Sequence, residues 1–298
     1  SVTINVNPIP QAIVGSTKTI CWGDTVVIGS NSVKGNTYSW SSKPFGFSST
    51  LSNPKVVPVE KIKYYLTETI TAPGCTKSDS VLVNVNPLPP AKAGVSQVIC
   101  NGVTVGIGSS FVTGRKYSWT SNPKGFTATI ANPTVSPNTS TTYYLTETIV
   151  ATNCKRTDSV TIAVNPLPNA ITGSNRAVCD GDSVYLGSKG VTGNSYQWSS
   201  NPKGFFATVA NPIIIPTSTT TYYLTETNTL TNCKNNDSVR ITVNQLPIAN
   251  AGVSKTICWG DSVIIGTSAT GGNDYHWYNN INSKTFNTDI AMVTPKVT

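Results

Sequence analysis

Charged side chains, histidine and methionine are scarce in this sequence. Only 11% of the residues are Asp, Glu, Lys or Arg, whereas an average soluble domain has about 25%. The chain contains one histidine and one methionine. Catalysis requires positioned titratable groups, and no Gly-rich phosphate loop is present. We therefore predict that the chain is not an enzyme, and that it has no catalytic residues and no cofactor.

Long apolar runs and basic clusters are also missing. No run approaches the roughly 18 apolar residues of a transmembrane helix. The net charge is +8, but the basic residues are scattered singly, so we predict no membrane span and no nucleic-acid partner. Ser, Thr, Asn and Gly provide most of the polarity, which favours a secreted β-protein over a cytosolic enzyme.

One stretch occurs four times and sets the organisation of the chain. It begins as Ile20-Cys21-Trp22-Gly23, and its cysteine returns as Cys100, Cys179 and Cys258, at equal intervals. A constant interval between the copies indicates that one small domain is repeated in tandem. We predict full repeats at 8–86, 87–165 and 166–244, a truncated repeat at 245–298, and the last strand of a preceding repeat at 1–7. We expect the sequence to be a window from a longer protein.

Each repeat has the pattern of short β-strands and no helical period. In the first repeat, strands are predicted at 25–28, 38–40, 56–59, 64–70 and 80–85, separated by turn signals such as Gly35-Asn36 and Asn53-Pro54. The alternation of Val81, Val83 and Val85 predicts one buried face. The fold class is therefore all-β: a tandem array of antiparallel β-sandwiches. The linkers, such as Pro8-Ile9-Pro10, predict restricted hinge motion.

The seven cysteines alternate between a long and a short spacing along the chain. We predict disulfides across the long spacing, within each repeat, at a stabilisation of roughly 4 kcal/mol each. The alternative pairs successive repeats across the short spacing. Cys258 is expected to be unpaired because its partner would lie beyond the chain. No Cys-x-x-Cys occurs, so no metal site is predicted. Disulfides imply an extracellular location. The predicted pairs are Cys21–Cys75, Cys100–Cys154 and Cys179–Cys233.

Glu68 is unusual because the alternation of its strand gives it the same face as Leu66, which should point inward. It recurs as Glu147 and Glu226. We expect its carboxylate to reach water or a neighbouring hydroxyl near the strand end. The alternative is a buried carboxylate that assists a Lys–Asn crosslink.

Exposed aromatic and hydroxyl residues supply the remaining candidate sites. Trp22 and Trp259 follow the first cysteine of two repeats and could stack on sugar rings. The alternative is that they pack against the linker or the neighbouring domain. A triplet of Asp, Ser or Thr, and Val recurs, and it resembles the O-glycosylation acceptor of certain gliding and gut bacteria. The candidate acceptors are Thr25, Ser80, Ser159, Ser183, Ser238 and Ser262.

Taken together, the motifs resemble a known class of repeat. Ile-Cys-x-Gly-Asp-Ser-Val, Tyr-x-Trp, Ala-Asn-Pro and Thr-Thr-Tyr-x-Leu-Thr are similar to PKD-like or Ig-like repeats of giant surface adhesins. Those adhesins are exported by the type IX route in gliding bacteria, including the mobile gliding adhesin type. Val103 departs from the pattern where Asp is usual.

The resemblance implies a structural stalk of a cell-surface adhesin or filament, with a role in adhesion or gliding motility. Its expected partners are neighbouring repeats, surface polysaccharide or the surface motility machinery. The alternative function is a carbohydrate-binding array of a secreted polysaccharide-acting protein.

Overall fold

The computed structural model describes residues 2–278 and 285–295, with only the backbone of Thr285 and Phe286. These residues form strands, turns and bends, with no helix among them. Parts of the predicted fourth repeat, at 279–284 and 296–298, lie outside the described residues, as does Ser1 of the predicted first strand. The chain divides into two compact units, Ser1–Pro166 and Leu167–Thr298.

The first unit contains two similar sets of strands. The first set is β1 Lys18–Cys21, β2 Val26–Val27, β3 Asn36–Lys43, β4 Ser48–Ser49, β5 Lys55–Val56, β6 Ile62–Ile70 and β7 Thr76–Asn86. The second set is β8 Gln97–Cys100, β9 Val105–Gly106, β10 Arg115–Asn122, β11 Thr134–Val135, β12 Thr141–Ile149 and β13 Lys155–Asn165.

The second unit contains a third set and a shorter fourth set. The third is β14 Arg176–Cys179, β15 Val184–Tyr185, β16 Asn194–Asn201, β17 Phe206–Ala207, β18 Ile213–Ile214, β19 Thr220–Asn228 and β20 Lys234–Asn244. The fourth is β21 Val263–Gly266, β22 Trp277–Tyr278, β23 Thr285–Phe286 and β24 Ile290–Val293.

Each of the first three sets forms a sandwich of one large and one small sheet. In the first set the large sheet has the order β1-β7-β6-β3-β4, and β2 pairs with β5 in the small sheet. The neighbours are antiparallel except β1 and β7, which run parallel. The predicted all-β, Ig-like tandem fold is confirmed. Each predicted full repeat contains one such set, although its boundaries stay a prediction.

A tryptophan fills the centre of each of these three sandwiches. Trp40 is almost completely buried and its Nε1 donates a hydrogen bond to the carbonyl oxygen of Leu51, at 2.9 Å. Trp119 and Trp198 are placed in the same way, each donating at 3.0 Å to a carbonyl eleven residues later. Leu66 points inward as predicted. These contacts fix the spacing of the two sheets because Trp brings a large apolar surface with one polar atom that needs a partner.

Some local predictions differ from the structure. Residues 2–7 form no strand, because they pair with none of the described strands. The strand predicted at 56–59 is only β5, since a proline at 58 cannot donate to a ladder. The short β1 and β4 were not predicted because neither has a clear apolar alternation.

Replacing Gly29 by alanine should destabilise the first repeat. Gly29 has a φ of +84°, and a Cβ there would clash with the carbonyl oxygen of Ser52 and lie 2.9 Å from Trp40 Cζ2. We expect a loss of about 3 kcal/mol, combining the left-handed backbone and overpacking. The measurement is the denaturant midpoint of the intact chain followed by tryptophan fluorescence.

Gly23 provides the matched control. Its φ is +87°, but a Cβ there would meet nothing within 4 Å. Gly23→Ala should therefore cost only about 1 kcal/mol. Equal effects of the two substitutions would show that the contact with Trp40 and Ser52 is not the constraint.

Candidate functional site at the repeat junction

A disulfide bond joins the first two predicted repeats. Cys21 and Cys154 are bonded, with their Cα atoms 5.5 Å apart and a sequence separation of 133 residues. Cys21 belongs to the predicted first repeat and Cys154 to the second. The bond therefore connects two successive sandwiches of the first unit.

The strand register explains why these two cysteines meet. Cys21 ends β1 and lies opposite Asn86, the last residue of β7, so it is at the end where the chain leaves the first repeat. The amide of Trp22 also donates to the Asn86 carbonyl, at 2.9 Å. Cys154 precedes β13, in the turn that follows β12. Since β13 leads away from this turn to the exit of the second repeat, Cys154 lies at the opposite, entrance end.

The predicted bond Cys21–Cys75 is therefore wrong. Cys75 directly precedes β7, while Cys21 lies beside the far end of the same strand. An eleven-residue strand spans roughly 35 Å, whereas bonded cysteines need Cα atoms within about 7 Å. Cys75 is a free, half-buried cysteine.

The other two predicted disulfides are also wrong. Cys154 is bonded to Cys21, which excludes the predicted Cys100–Cys154 bond. Cys179 is free and exposed, which excludes Cys179–Cys233. The alternative pairing of Cys75 with Cys100 is wrong too, because Cys75 is free. Cys100 and Cys233 are each disulfide-bonded, and Cys258 is free and exposed.

A short turn holds the first cysteine of three repeats. The Cys21 amide donates to Asp24 Oδ2 and the Asp24 amide donates to the Cys21 carbonyl, both at 3.0 Å. Asp182 and Asp261 accept from Cys179 and Cys258 in the same way. In the second repeat Val103 replaces the aspartate, and only the backbone hydrogen bond is left, from the Val103 amide to the Cys100 carbonyl at 3.1 Å. The Asp of this triplet therefore has a structural role in the turn.

Glu68 fixes the segment that precedes the first strand of its repeat, here called the entrance segment, to the sandwich. Its Oε2 accepts from the Ala12 amide at 2.7 Å, and its Oε1 accepts from Asn36 Nδ2 at 2.6 Å. The carboxylate is buried, so the prediction that it reaches water or a hydroxyl was wrong. Both oxygens are instead used by nitrogen donors, which compensates for burial.

The same carboxylate has different partners in the other repeats. Glu147 forms an ion pair with Arg115 at 2.6 Å, and Glu226 accepts from Asn194 at 2.7 Å. The second repeat has Arg115 where the first has Asn36, so a Lys–Asn crosslink at this position could not be common to all repeats. Sequence reasoning missed these partners, although Asn36, Arg115 and Asn194 occupy equivalent positions of successive repeats.

The same triplet also occurs in the last strand of each full repeat, and in the second and third repeats its aspartate holds the entrance segment. Asp237 Oδ2 accepts from the Thr172 amide at 2.8 Å and from Thr172 Oγ1 at 2.7 Å. Burial alone would raise the pKa of Asp237, but hydrogen bonds from Thr172 and Ser238 together lower it below its usual value. Asp158 accepts from the Ala93 amide at 2.8 Å in the second repeat.

The candidate glycosylation residues fall into two places. Thr25, Ser183 and Ser262 lie in the turn after the first cysteine and are exposed. Ser80, Ser159 and Ser238 lie within the last strand of their repeats, where Ser80 is half-buried and the other two are exposed. These positions leave five hydroxyls accessible to a modifying enzyme, and their use stays a prediction.

Trp22 and Trp259 are exposed, at 52% and 86%. Asn101 and Asp180 occupy their position in the two intervening repeats. The residues the structure describes contain no cluster of three or more potential metal ligands. Among the described residues, no helix is long and apolar enough to cross a membrane.

Comparisons with known proteins place the chain beside other tandem arrays. No protein-family model matches it, and neither does any curated protein. An I-band fragment of titin is 12% identical over 77% of this chain and 96% of that chain, with a TM-score of 0.35. Extracellular domains 3–5 of Drosophila OTK are 11% identical over 79% and 96%, with a TM-score of 0.28.

A third solved structure comes from a different kind of protein. It is SGBP-B of Bacteroides ovatus in complex with a mixed-linkage heptasaccharide. It is 13% identical over 100% of this chain and 91% of that chain, with a TM-score of 0.21. At these TM-scores the likenesses carry no argument about function.

Thiol mapping should reproduce the observed connectivity. Alkylation of the native chain without reductant is expected to label Cys75, Cys179 and Cys258. Proteolysis should then release one crosslinked peptide containing Cys21 and Cys154. The measurement is mass spectrometry of the non-reduced digest.

Cys75→Ser is the control for this mapping. It should leave the Cys21–Cys154 peptide unchanged, since Cys75 takes no part in the bond. Recovery of a Cys21–Cys75 peptide from the unmodified chain would contradict the junction described above.

Proposed function

We propose that this chain is a non-catalytic structural stalk of a cell-surface adhesin or filament, located outside the cell. The observation that carries the proposal is the Cys21–Cys154 bond, which locks two successive repeats end to end. A disulfide that spans a linker restricts bending and stretching at that linker. It also requires an oxidising compartment, which supports the extracellular location.

In a longer array of such repeats, the constant period would extend this bond into a ladder. The first cysteine of one repeat joins the second cysteine of the next, with an offset of 133 residues. Cys100 and Cys233 are each disulfide-bonded. In a longer array the same rule would give Cys75, Cys179 and Cys258 partners in neighbouring repeats.

Such a ladder would carry load along a short covalent path. Force would pass through a disulfide and then along the segment from a second cysteine to the next first cysteine, such as Cys75 to Cys100. In that segment, 11 residues are in β7 and 4 are in β8, which are already extended. The path would therefore have little slack, and the array would resist lengthening even if a sandwich opened.

The remaining parts of the proposal concern export, motility and partners. Export by the type IX route, a role in gliding motility and O-glycosylation of the exposed triplets are supported by the resemblance of the repeat motifs. The partners we propose are neighbouring repeats of the same protein, with surface polysaccharide or the motility machinery at the ends of the array. Trp22 and Trp259 give little support to the alternative function of carbohydrate binding, because a tryptophan does not occur at this position in every repeat.

Stretching single molecules tests the stalk function. The variant Cys100→Ser should retain the Cys21–Cys154 staple, which removes 133 residues from the extensible chain. At about 3.3–3.6 Å per residue, its fully stretched length should be roughly 450 Å shorter in oxidising buffer than with reductant. The measurement is the total contour length by force spectroscopy with handles at the two ends.

The double variant Cys21→Ser, Cys100→Ser provides the comparison without the Cys21–Cys154 staple. It should stretch to the same length in both buffers. If the single variant also stretches fully without reductant, the bond does not carry load and the stalk proposal fails.

A further inference from the structure

The outer face of the large sheet carries an exposed tyrosine at the same place in all three full repeats. Tyr65, Tyr144 and Tyr223 are 37%, 39% and 44% exposed. Each follows a buried tyrosine, so strand alternation turns it away from the core. Unlike Trp22, this exposed aromatic occurs once in every full repeat.

A hydroxyl residue lies directly opposite each tyrosine on both neighbouring strands. Tyr65 lies between Ser41 and Ser80. Tyr144 lies between Thr120 and Ser159. Directly opposite residues point to the same face, with Cβ atoms about 5 Å apart. The result is a row of hydroxyl, aromatic ring and hydroxyl across three strands.

The third repeat extends the row with a second aromatic residue. Tyr223 lies between Ser199 and Ser238, and Ser199 lies opposite Phe206 on the edge strand. Phe206 is 66% exposed. The two rings are separated by two strand spacings, about 10 Å, which is comparable with the length of a disaccharide.

We propose that this row is a binding platform for a neutral polysaccharide, one site per repeat. A pyranose ring presents C–H groups to the electron-rich face of an aromatic ring, while its hydroxyls exchange hydrogen bonds with flanking Ser and Thr. The three residues that form each row carry no charge, which fits a neutral ligand better than an acidic one. The stalk function does not require this activity, so the platform goes beyond it.

The three sites are expected to differ in strength. Lys63 Nζ lies 5.3 Å from the centre of the Tyr65 ring and partly covers it. Threonine occupies the corresponding position in the other repeats, at Thr142 and Thr221. The third repeat should therefore bind best, because its ring has no such cover and Phe206 adds a second one.

Native gels that contain a neutral polysaccharide provide the test. The full chain is run in gels with hydroxyethyl cellulose, galactomannan or xyloglucan, using recombinant protein whose intact mass matches the bare polypeptide. That mass excludes a sugar attached to Ser80, Ser159 or Ser238 that would itself cover the rings. Neutral polymers are required because the chain has a net charge of +8 and an anionic polymer would retard it by charge alone.

We expect at least one neutral polymer to retard the chain. The triple variant Tyr65→Thr, Tyr144→Thr, Tyr223→Thr should bind roughly tenfold more weakly or worse, since linked sites on one polymer act together. Threonine retains high β-propensity at these exposed positions. Tyr185→Thr is the matched control, because Tyr185 is an exposed tyrosine in the small sheet of the third repeat.

Two further variants keep the test decisive if the triple variant does not fold by circular dichroism. Tyr223→Thr and Phe206→Thr alone should each lower retardation more than Tyr65→Thr does. Absence of retardation by all three polymers, or equal retardation of the folded Tyr variants and the unmodified chain, would overturn the platform. The stretching experiment is independent of this result, so the two proposals can fail separately.

Discussion

The length of the last strand is the constraint on which the rest of this structure depends. In the first repeat, β7 runs for eleven residues along the whole sandwich, with Cys75 before its start and Cys21 beside its end. The two cysteines of one repeat are therefore held at opposite ends by backbone hydrogen bonds. Because the sandwich cannot shorten, each cysteine is available only to a neighbouring repeat.

This arrangement changes what a disulfide does for the protein. A bond within a small domain would chiefly stabilise that domain against unfolding. The Cys21–Cys154 bond instead closes a loop of 133 residues that contains most of two sandwiches. In the chain-entropy model such a loop stabilises the folded pair by roughly 5 kcal/mol. The same bond also limits the motion that the proline-containing linker leaves open.

Buried and half-buried carboxylates make the entrance of each full repeat part of its sandwich. Glu68 and Asp237 each accept hydrogen bonds from the backbone of the segment before β1 or β14. These segments have no strand ladder of their own, so their amides need other acceptors. A linker fastened in this way transmits orientation from one repeat to the next. These carboxylates are thus used where each repeat begins.

The sequence alone was enough to determine the repeat, the all-β fold and the buried face. Period-two alternation placed Leu66, Val81 and Val83 inside, and the structure buries all three. It could not determine which groups donate hydrogen bonds to Glu68, because the Ala12 amide and the Asn36 side chain come from distant parts of the repeat. The sequence contains the exposed tyrosines, but only the sheet register shows that each has a hydroxyl residue on both sides.

Cysteine pairing shows most clearly where sequence information ends. A regular alternation of long and short spacings is compatible with bonds within or between repeats. Only the tertiary structure decided between them, because it is the parallel pairing of β1 with the end of β7 that carries Cys21 away from Cys75. The composition and period of the chain determined what each repeat is, and the direction of its strands decided how one repeat is bound to the next.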